Sequence, residues 1–229
     1  FSKINLSMIS KSLNQEQNKF KILLSGGDTV FSNKLSFTIT SIGFANKIVY
    51  RNKAKINDDI YVSGNLGDSY LGLLVLQKKI NINKLLNLYF TNQYFMPNIK
   101  DKLANKLKMF ANTSIDISDG LFADLDKLIN NQKLSYKLFL KDIPISKNLK
   151  KVLKSKKLSK INFISKGDDY QILFSASRSK RLLIKKISST FGVKITKIGI
   201  IKNNSIKSSV IDDNRAVIGL KNKGYFHKF

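Results

Sequence analysis

Residues 113 to 129 read TSIDISDGLFADLDKLI and contain four aspartates, Asp116, Asp119, Asp124 and Asp126. A strand over 113–118 followed by a helix turns Asp116 and Ser118 the same way, because side chains alternate along a strand. Asp119 then starts the helix, and Gly120 relieves the turn. Two carboxylates and a hydroxyl aimed at one point repel unless cations lie between them. With no Cys and a single His in the sequence, the natural cation is oxygen-loving: Mg2+, Mn2+ or Ca2+. The competing reading is a helix cap by Asp119 with Asp116 exposed. Asp126 is expected to face solvent, and Asp124 fits either side.

Three further stretches have chemistry-bearing residue types. In LLSGGDT, Gly26 and Gly27 allow close approach of backbone to a ligand, and Asp28 can hold a hard cation. The alternative is a turn in which Asp28 bonds its own backbone. SGNLGDS (63–69) lacks the Gly-Lys-Ser/Thr ending of a phosphate loop and the spacing of a dinucleotide fingerprint. A tight strand-to-helix turn capped by Asp68 or Ser69 is the better reading, although a helix start can also offer N–H groups to an anion. SKGDDYQILF (165–174) places Asp168 and Asp169 just before a strand. His227 alone, near the end of the chain, is no sign of acid/base or nucleophilic catalysis.

These residues need elements to hold them. A helix is expected over 1–18, a buried strand at FKILL (20–24), and a half-buried strand at LSFTITSIGF (35–44) with Leu35, Phe37 and Ile39 on its apolar face. Residues 58–77 read as strand, glycine turn and helix. Helices follow near 83–92 and 98–109, separated by Pro97. After the 113–129 unit come strands at SYKLFLKDIP, DYQILFSAS and VKITKIGII, and a helix at RSKRLLIKKISSTF. Strands and helices mix without strict βαβ alternation, so the fold class is α+β. A boundary near 50–56 divides the chain.

Of 229 residues, 42% are hydrophobic, enough for a real core, and the formal charge is +26. The lysines are dispersed, and the densest run, KNLKKVLKSKKLSK (147–160), interleaves Leu and Val as a solvated helix and loop does. A drifted, basic surface is therefore the better reading than a nucleic-acid site. No apolar run approaches the roughly 20 residues of a membrane span, and no signal peptide is visible. The first residue is Phe1, inside an expected helix, so the natural N-terminus is expected to be missing.

In order and spacing, GGDT, YVSGNLGDSYLGL, IDISDGLFADL, KGDDYQILF and the closing KGYFHKF resemble the thiamine-monophosphate kinase family, within the aminoimidazole ribonucleotide synthetase-like superfamily. The resemblance covers about residues 20–229. It implies two α+β domains, with residues 1–55 the remainder of an N-terminal ATP- and metal-binding domain and 56–229 a complete C-terminal α/β sandwich. It implies transfer of the γ-phosphoryl group of ATP to thiamine monophosphate, Mg2+ as cofactor, a homodimer when complete, and a cytoplasmic setting. By the same resemblance Gly27, Asp28, Arg51 and Ser118 contact ATP. Asp28, Asp116 and Asp119 hold metal, and Asp168 and Tyr225 meet the substrate. Asp168 stands where the family has Glu, one methylene longer, and Lys166 where it has Gly. The alternatives are a basic, non-catalytic nucleic-acid-binding domain, another ATP-using member of the superfamily, and a decayed paralogue.

Overall fold

The computed structural model describes residues 3–220 and residue 224. The chain divides into two compact units, residues 1–46 and 47–229.

The first unit opens with helix α1, Lys3–Phe20. Its last turn is tied to the following segment by Gln17, whose carbonyl accepts from Ile22 N–H (3.2 Å) and whose side chain accepts from Leu24 N–H (2.6 Å). No helix or strand follows between Lys21 and Asn46, so the strands expected at 20–24 and 35–44 do not form. Leu35, Phe37 and Ile39 have the alternation of a strand face yet stand 66%, 63% and 78% exposed. The reason is physical: a strand is stabilised by a neighbour that pairs its N–H and C=O groups and covers its apolar face. Among the described residues no strand pairs with this segment.

The second unit is built on one sheet. Its strands are β1 (Asp59–Ser63), β2 (Thr113–Asp116), β3 (Leu134–Phe139), β4 (Ile172–Ala176), β5 (Ile195–Asn203), β6 (Ser209–Ile211) and β7 (Val217–Ile218), in the spatial order β2-β4-β1-β5-β3-β6-β7. All pairs are antiparallel except β3 with β6. Its helices are α2 (Asp68–Leu76), α3 (Lys84–Phe95), α4 (Asp101–Ala104), α5 (Leu121–Leu128), α6 (Lys147–Ser155), α7 (Lys160–Ile164) and α8 (Arg181–Phe191). The α+β class is thus as expected, whereas α7, β6 and β7 had no clear sequence signal. No helix among the described residues is long and apolar enough to cross a membrane.

β1 is buried along its whole length, and its side chains alternate between two clusters. Ile60 and Val62 pack with Leu121, Phe122 and Leu125 of α5, while Tyr61 packs with Phe174 and with Ile184 and Ile187 of α8. The sheet is therefore covered on both faces. A third cluster joins Leu71 and Val75 of α2, Phe90 of α3 and Leu149 and Val152 of α6. Lys147, Lys150, Lys151 and Lys154 line the wet side of α6, as its pattern predicts, whereas Lys160 starts α7 half-buried and donates to Leu140 O (2.6 Å). Residues 47–55, assigned to the first domain on sequence, pack with the second unit: Ala54 is buried, and Asn52 N–H donates to Leu128 O (3.0 Å).

Two aspartates anchor the centre of the sheet. Asp58 accepts from Asn112 Nδ2 (2.8 Å) and Ser175 Oγ (2.8 Å). Asp59, fully buried, accepts from Arg181 Nε (2.5 Å) and Nη2 (2.9 Å), with Lys197 Nζ at 3.5 Å. Burial alone would raise the Asp59 pKa. The bonds and charges of Arg181 and Lys197 outweigh that and hold it below the usual carboxylate value. A depressed carboxyl pKa contributes stability that is complete above the unfolded value, about 4, and is lost as pH falls through the folded one. Arg181→Met is therefore expected to move the midpoint of acid unfolding to higher pH, read by far-UV circular dichroism.

Candidate functional site

The turn between β2 and α5 carries the residues singled out above. Asp116 closes β2 and is exposed, Ile117 is buried, and Ser118 is half-buried. β2 ends at Asp116, two residues short of the expected strand, and Ser118 lies in the bend that follows. α5 begins at Leu121 after Gly120, whose φ of 118° favours glycine. Asp119 does not cap the helix. Its own N–H and that of Gly120 donate instead to the Asp124 carboxylate (2.8 and 3.0 Å), which reaches back from the first turn. Asp124 is thus fully buried and structural, and Asp126 is half-buried rather than solvent-facing. Leu121, Phe122, Leu125, Leu128 and Ile129 form the buried stripe.

Lys127 was missed on sequence. One turn along α5 from Asp124, it donates to both Asp119 and Asp124, the latter at 3.0 Å. Burial works against its charge, but these two carboxylates prevail and raise its pKa.

A second loop, 165–171, lies against this turn. Asp168 N–H donates to Ser118 O (2.9 Å), Tyr170 N–H to Ile117 O (2.9 Å), and Ile117 N–H to Gln171 O (2.8 Å). The approach is so close that a Cβ on Gly167 would overlap the Ser118 carbonyl, and one on Gly120 the Ser165 carbonyl. Asp168 (φ 64°) and Tyr170 (φ 47°) are left-handed. That conformation disfavours a non-glycine residue by roughly 1–2 kcal/mol. Asp168 is brought near Asp119: burial first, and then the Asp119 charge, raise its pKa.

Asp169 faces the other way. It is 4% exposed and accepts from Gly67 N–H (2.8 Å) and, more distantly, Ser69 N–H (3.5 Å). It therefore caps α2 from 100 residues away, correcting the expectation that Asp68 or Ser69 does so. Asp68 instead accepts from Ser146 Oγ (2.7 Å) and Tyr89 Oη (2.9 Å). Burial pushes the Asp169 carboxyl well up, against its two backbone bonds. Because a carboxylate already occupies the start of α2, the SGNLGDS turn is a structural turn.

The remaining expected residues belong to other parts of the chain. Gly27 and Asp28 belong to the first unit, where both are exposed and Asp28 Oδ1 accepts from Thr29 N–H (2.7 Å). Arg51 is exposed, and its neighbours are fixed at the far end of α5: Tyr50 O accepts from Thr113 Oγ1 (2.7 Å), and Asn52 is bonded to Leu128. Asp116 and Asp119 sit at the opposite end of that helix, on the order of 12 Å away for its two turns. Tyr225 and His227 lie outside the described residues, but Gly224 is buried against Asp119 O and Ala123.

The donors at the β2–α5 turn are oxygens only, Asp116 and Asp119 with the Ser118 hydroxyl. Among the described residues no group of three acidic or imidazole side chains is gathered closely enough to hold a metal. Mg2+ is commonly held by one or two carboxylates, with waters and phosphate oxygens filling its shell. Two carboxylates at an open turn fit that mode.

An antiparallel-dominated α+β sheet with an oxygen-only turn at one edge defines the class. No family model matches the chain. A curated thiamine-monophosphate kinase of Buchnera aphidicola subsp. Acyrthosiphon pisum (strain APS) is 34% identical over 226 residues, which is 97% of this chain and 69% of that protein. The crystal structure of thiamine-monophosphate kinase from Stenotrophomonas maltophilia K279a matches with a TM-score of 0.60 at 29% identity, over 73% of this chain and 54% of that one. A structure of AaThiL complexed with AMPPCP and TMP matches with a TM-score of 0.62 at 26% identity, over 78% and 54%. The chain belongs to the thiamine-monophosphate kinase family. It spans about half the length of these two solved chains.

Asp124→Ala removes the acceptor of two N–H groups at the turn, that of Gly120 buried and that of Asp119 partly so. It is expected to destabilise the fold by about 2 kcal/mol, measured by urea unfolding.

Proposed function

We propose that this chain acts in the ATP-dependent phosphorylation of thiamine monophosphate, giving thiamine diphosphate and ADP. The observation that carries the reading is identity to a thiamine-monophosphate kinase over nearly the whole chain. The relative complexed with AMPPCP and TMP supports the same pair of ligand classes. In this reaction a terminal oxygen of the thiamine phosphate bonds to the γ-phosphorus, and the bond from that phosphorus to the β–γ bridging oxygen breaks. Both partners are already anionic, so positioning and charge neutralisation matter more than proton transfer.

On this reading Asp116 and Asp119 hold Mg2+, and Asp28, in the first unit, is also a metal ligand. A metal bound there would neutralise phosphate oxygens and align the acceptor with the leaving group. Ser118, Gly27 and Arg51 contact the nucleotide. Asp168, which lies beside the same turn, meets the second substrate, with Tyr225 at the thiamine end. The segment expected as residues 1–55, of which 47–55 pack in the second unit, is the remainder of an ATP- and metal-binding domain, the complete protein is a homodimer, and the setting is cytoplasmic. A nucleic-acid-binding module is not favoured: family membership outweighs a basic charge that is spread rather than gathered.

The direct test supplies the complete protein with Mg2+-ATP and thiamine monophosphate and follows thiamine diphosphate by chromatography. Product that disappears with chelator is expected. A folded, nucleotide-binding protein without product sinks the reading. Asp116→Asn and Asp119→Asn are each expected to reduce kcat at least about a hundredfold while leaving the fold intact, as loss of an electrostatic contact to developing charge does. Tyr225→Ala is expected to raise KM for thiamine monophosphate more than that for ATP in steady-state assays.

A further inference from the structure

Asp119 already carries a cation. The Lys127 ammonium bonds Asp119 Oδ2 on one side and Asp124 Oδ1, at 3.0 Å, on the other. The two ends of this bridge differ. Asp124 is fully buried, and its second oxygen accepts the N–H groups of Asp119 and Gly120, so that end is fixed. Asp119 is 27% exposed and accepts no other hydrogen bond among the described residues, so that end can let go. Asp116, three residues earlier, is exposed and forms no ion pair among the described residues. Lys127 bonds only the Oδ2 oxygen of Asp119, but an ammonium there and a divalent ion on the other oxygen repel each other and draw on the same negative charge. Metal binding at Asp119 is therefore opposed by Lys127.

We infer that Lys127 is a resident counter-cation that competes with the metal for Asp119 and yields it when polyphosphate arrives with the metal. The inference rests on the proposed reading for the identity of metal and polyphosphate. Asp124 keeps the released ammonium beside the turn, where a phosphate oxygen replaces Asp119 as its second partner. The metal alone then binds weakly, and the metal–nucleotide pair binds well. Lys127 is a positioning residue: it acts through the Asp119 carboxylate.

The probe is Mn2+, with free ion counted by electron paramagnetic resonance, on the complete protein with and without a non-hydrolysable ATP analogue. Lys127→Met is expected to bind Mn2+ alone about tenfold more tightly than wild type, equivalent to removing a competitor worth about 1.4 kcal/mol. The difference should shrink when the analogue is present, and Lys127→Arg should stay near wild type. Unchanged or weaker Mn2+ binding by a folded Lys127→Met protein overturns the inference. Should that variant not fold, the wild-type protein labelled at lysine Cε reports the same exchange. Its Lys127 resonance shifts when Mg2+ and the analogue are added together, and a resonance that stays fixed overturns the inference. All readouts are of binding. A protein that shows the exchange but makes no thiamine diphosphate sinks the kinase reading and leaves this one standing.

Discussion

The docking of residues 165–171 across two turns is the constraint on which the rest of the second unit depends. Within five residues, the Asp168 and Tyr170 N–H groups bond the β2–α5 turn, while the Asp169 carboxylate bonds the start of α2. The β1–α2 and β2–α5 turns, remote in sequence, are thereby held in one place. The arrangement works against two local preferences. A buried carboxylate is poorly solvated, and left-handed backbone at Asp168 and Tyr170 is disfavoured. What offsets the first is the pair of α2 N–H groups and the positive end of a nine-residue helix. What permits the second is Gly167, since no side chain fits between that backbone and Ser118.

In a chain with 41 Lys and Arg against 15 Asp and Glu, the aspartates at this junction and in the core around it are of two kinds. Asp58, Asp59, Asp68, Asp124 and Asp169 are buried and hold secondary structure together. Asp116, Asp119 and Asp168 are at least partly open and gather on one turn and its neighbour. The crowding of aspartates over 113–129 therefore has two causes. Asp124 serves the turn, and the turn serves Asp116 and Asp119. Lys127 belongs to both, because one ammonium satisfies a fixed carboxylate and a movable one.

Local pattern was enough where local physics decides. The apolar stripe of α5 and the glycine turn after β1 were legible, since one follows from the period of a helix and the other from the conformational freedom of glycine. The cap of α2 was not, because its acceptor comes from Asp169, and nothing near Gly67 hints at it. Lys127 was visible as a residue three places after Asp124, the spacing of a helical ion pair. Its second partner, Asp119, depends on the chain direction through the turn, which no spacing rule supplies. The strand expected at 35–44 shows the opposite limit. Its period-two pattern is clear, but β structure is a property of pairs, and these residues have no paired neighbour among those described.

That contrast also explains why the residues proposed for phosphoryl transfer stand out in the sequence. Phosphoryl transfer between two anionic groups asks for oxygen donors in an open place, not for a tuned acid or base. Open carboxylates flanked by Gly are conspicuous in a lysine-rich chain, so composition itself points to them. What composition conceals is how they are kept apart when nothing is bound. Asp116, exposed, is stabilised by water. Asp119 is stabilised by Lys127, and so their mutual repulsion is met by protein on one side and solvent on the other. A turn balanced in this way stands as folded structure by itself, because neither carboxylate depends on a cation from outside the chain for its place in the fold.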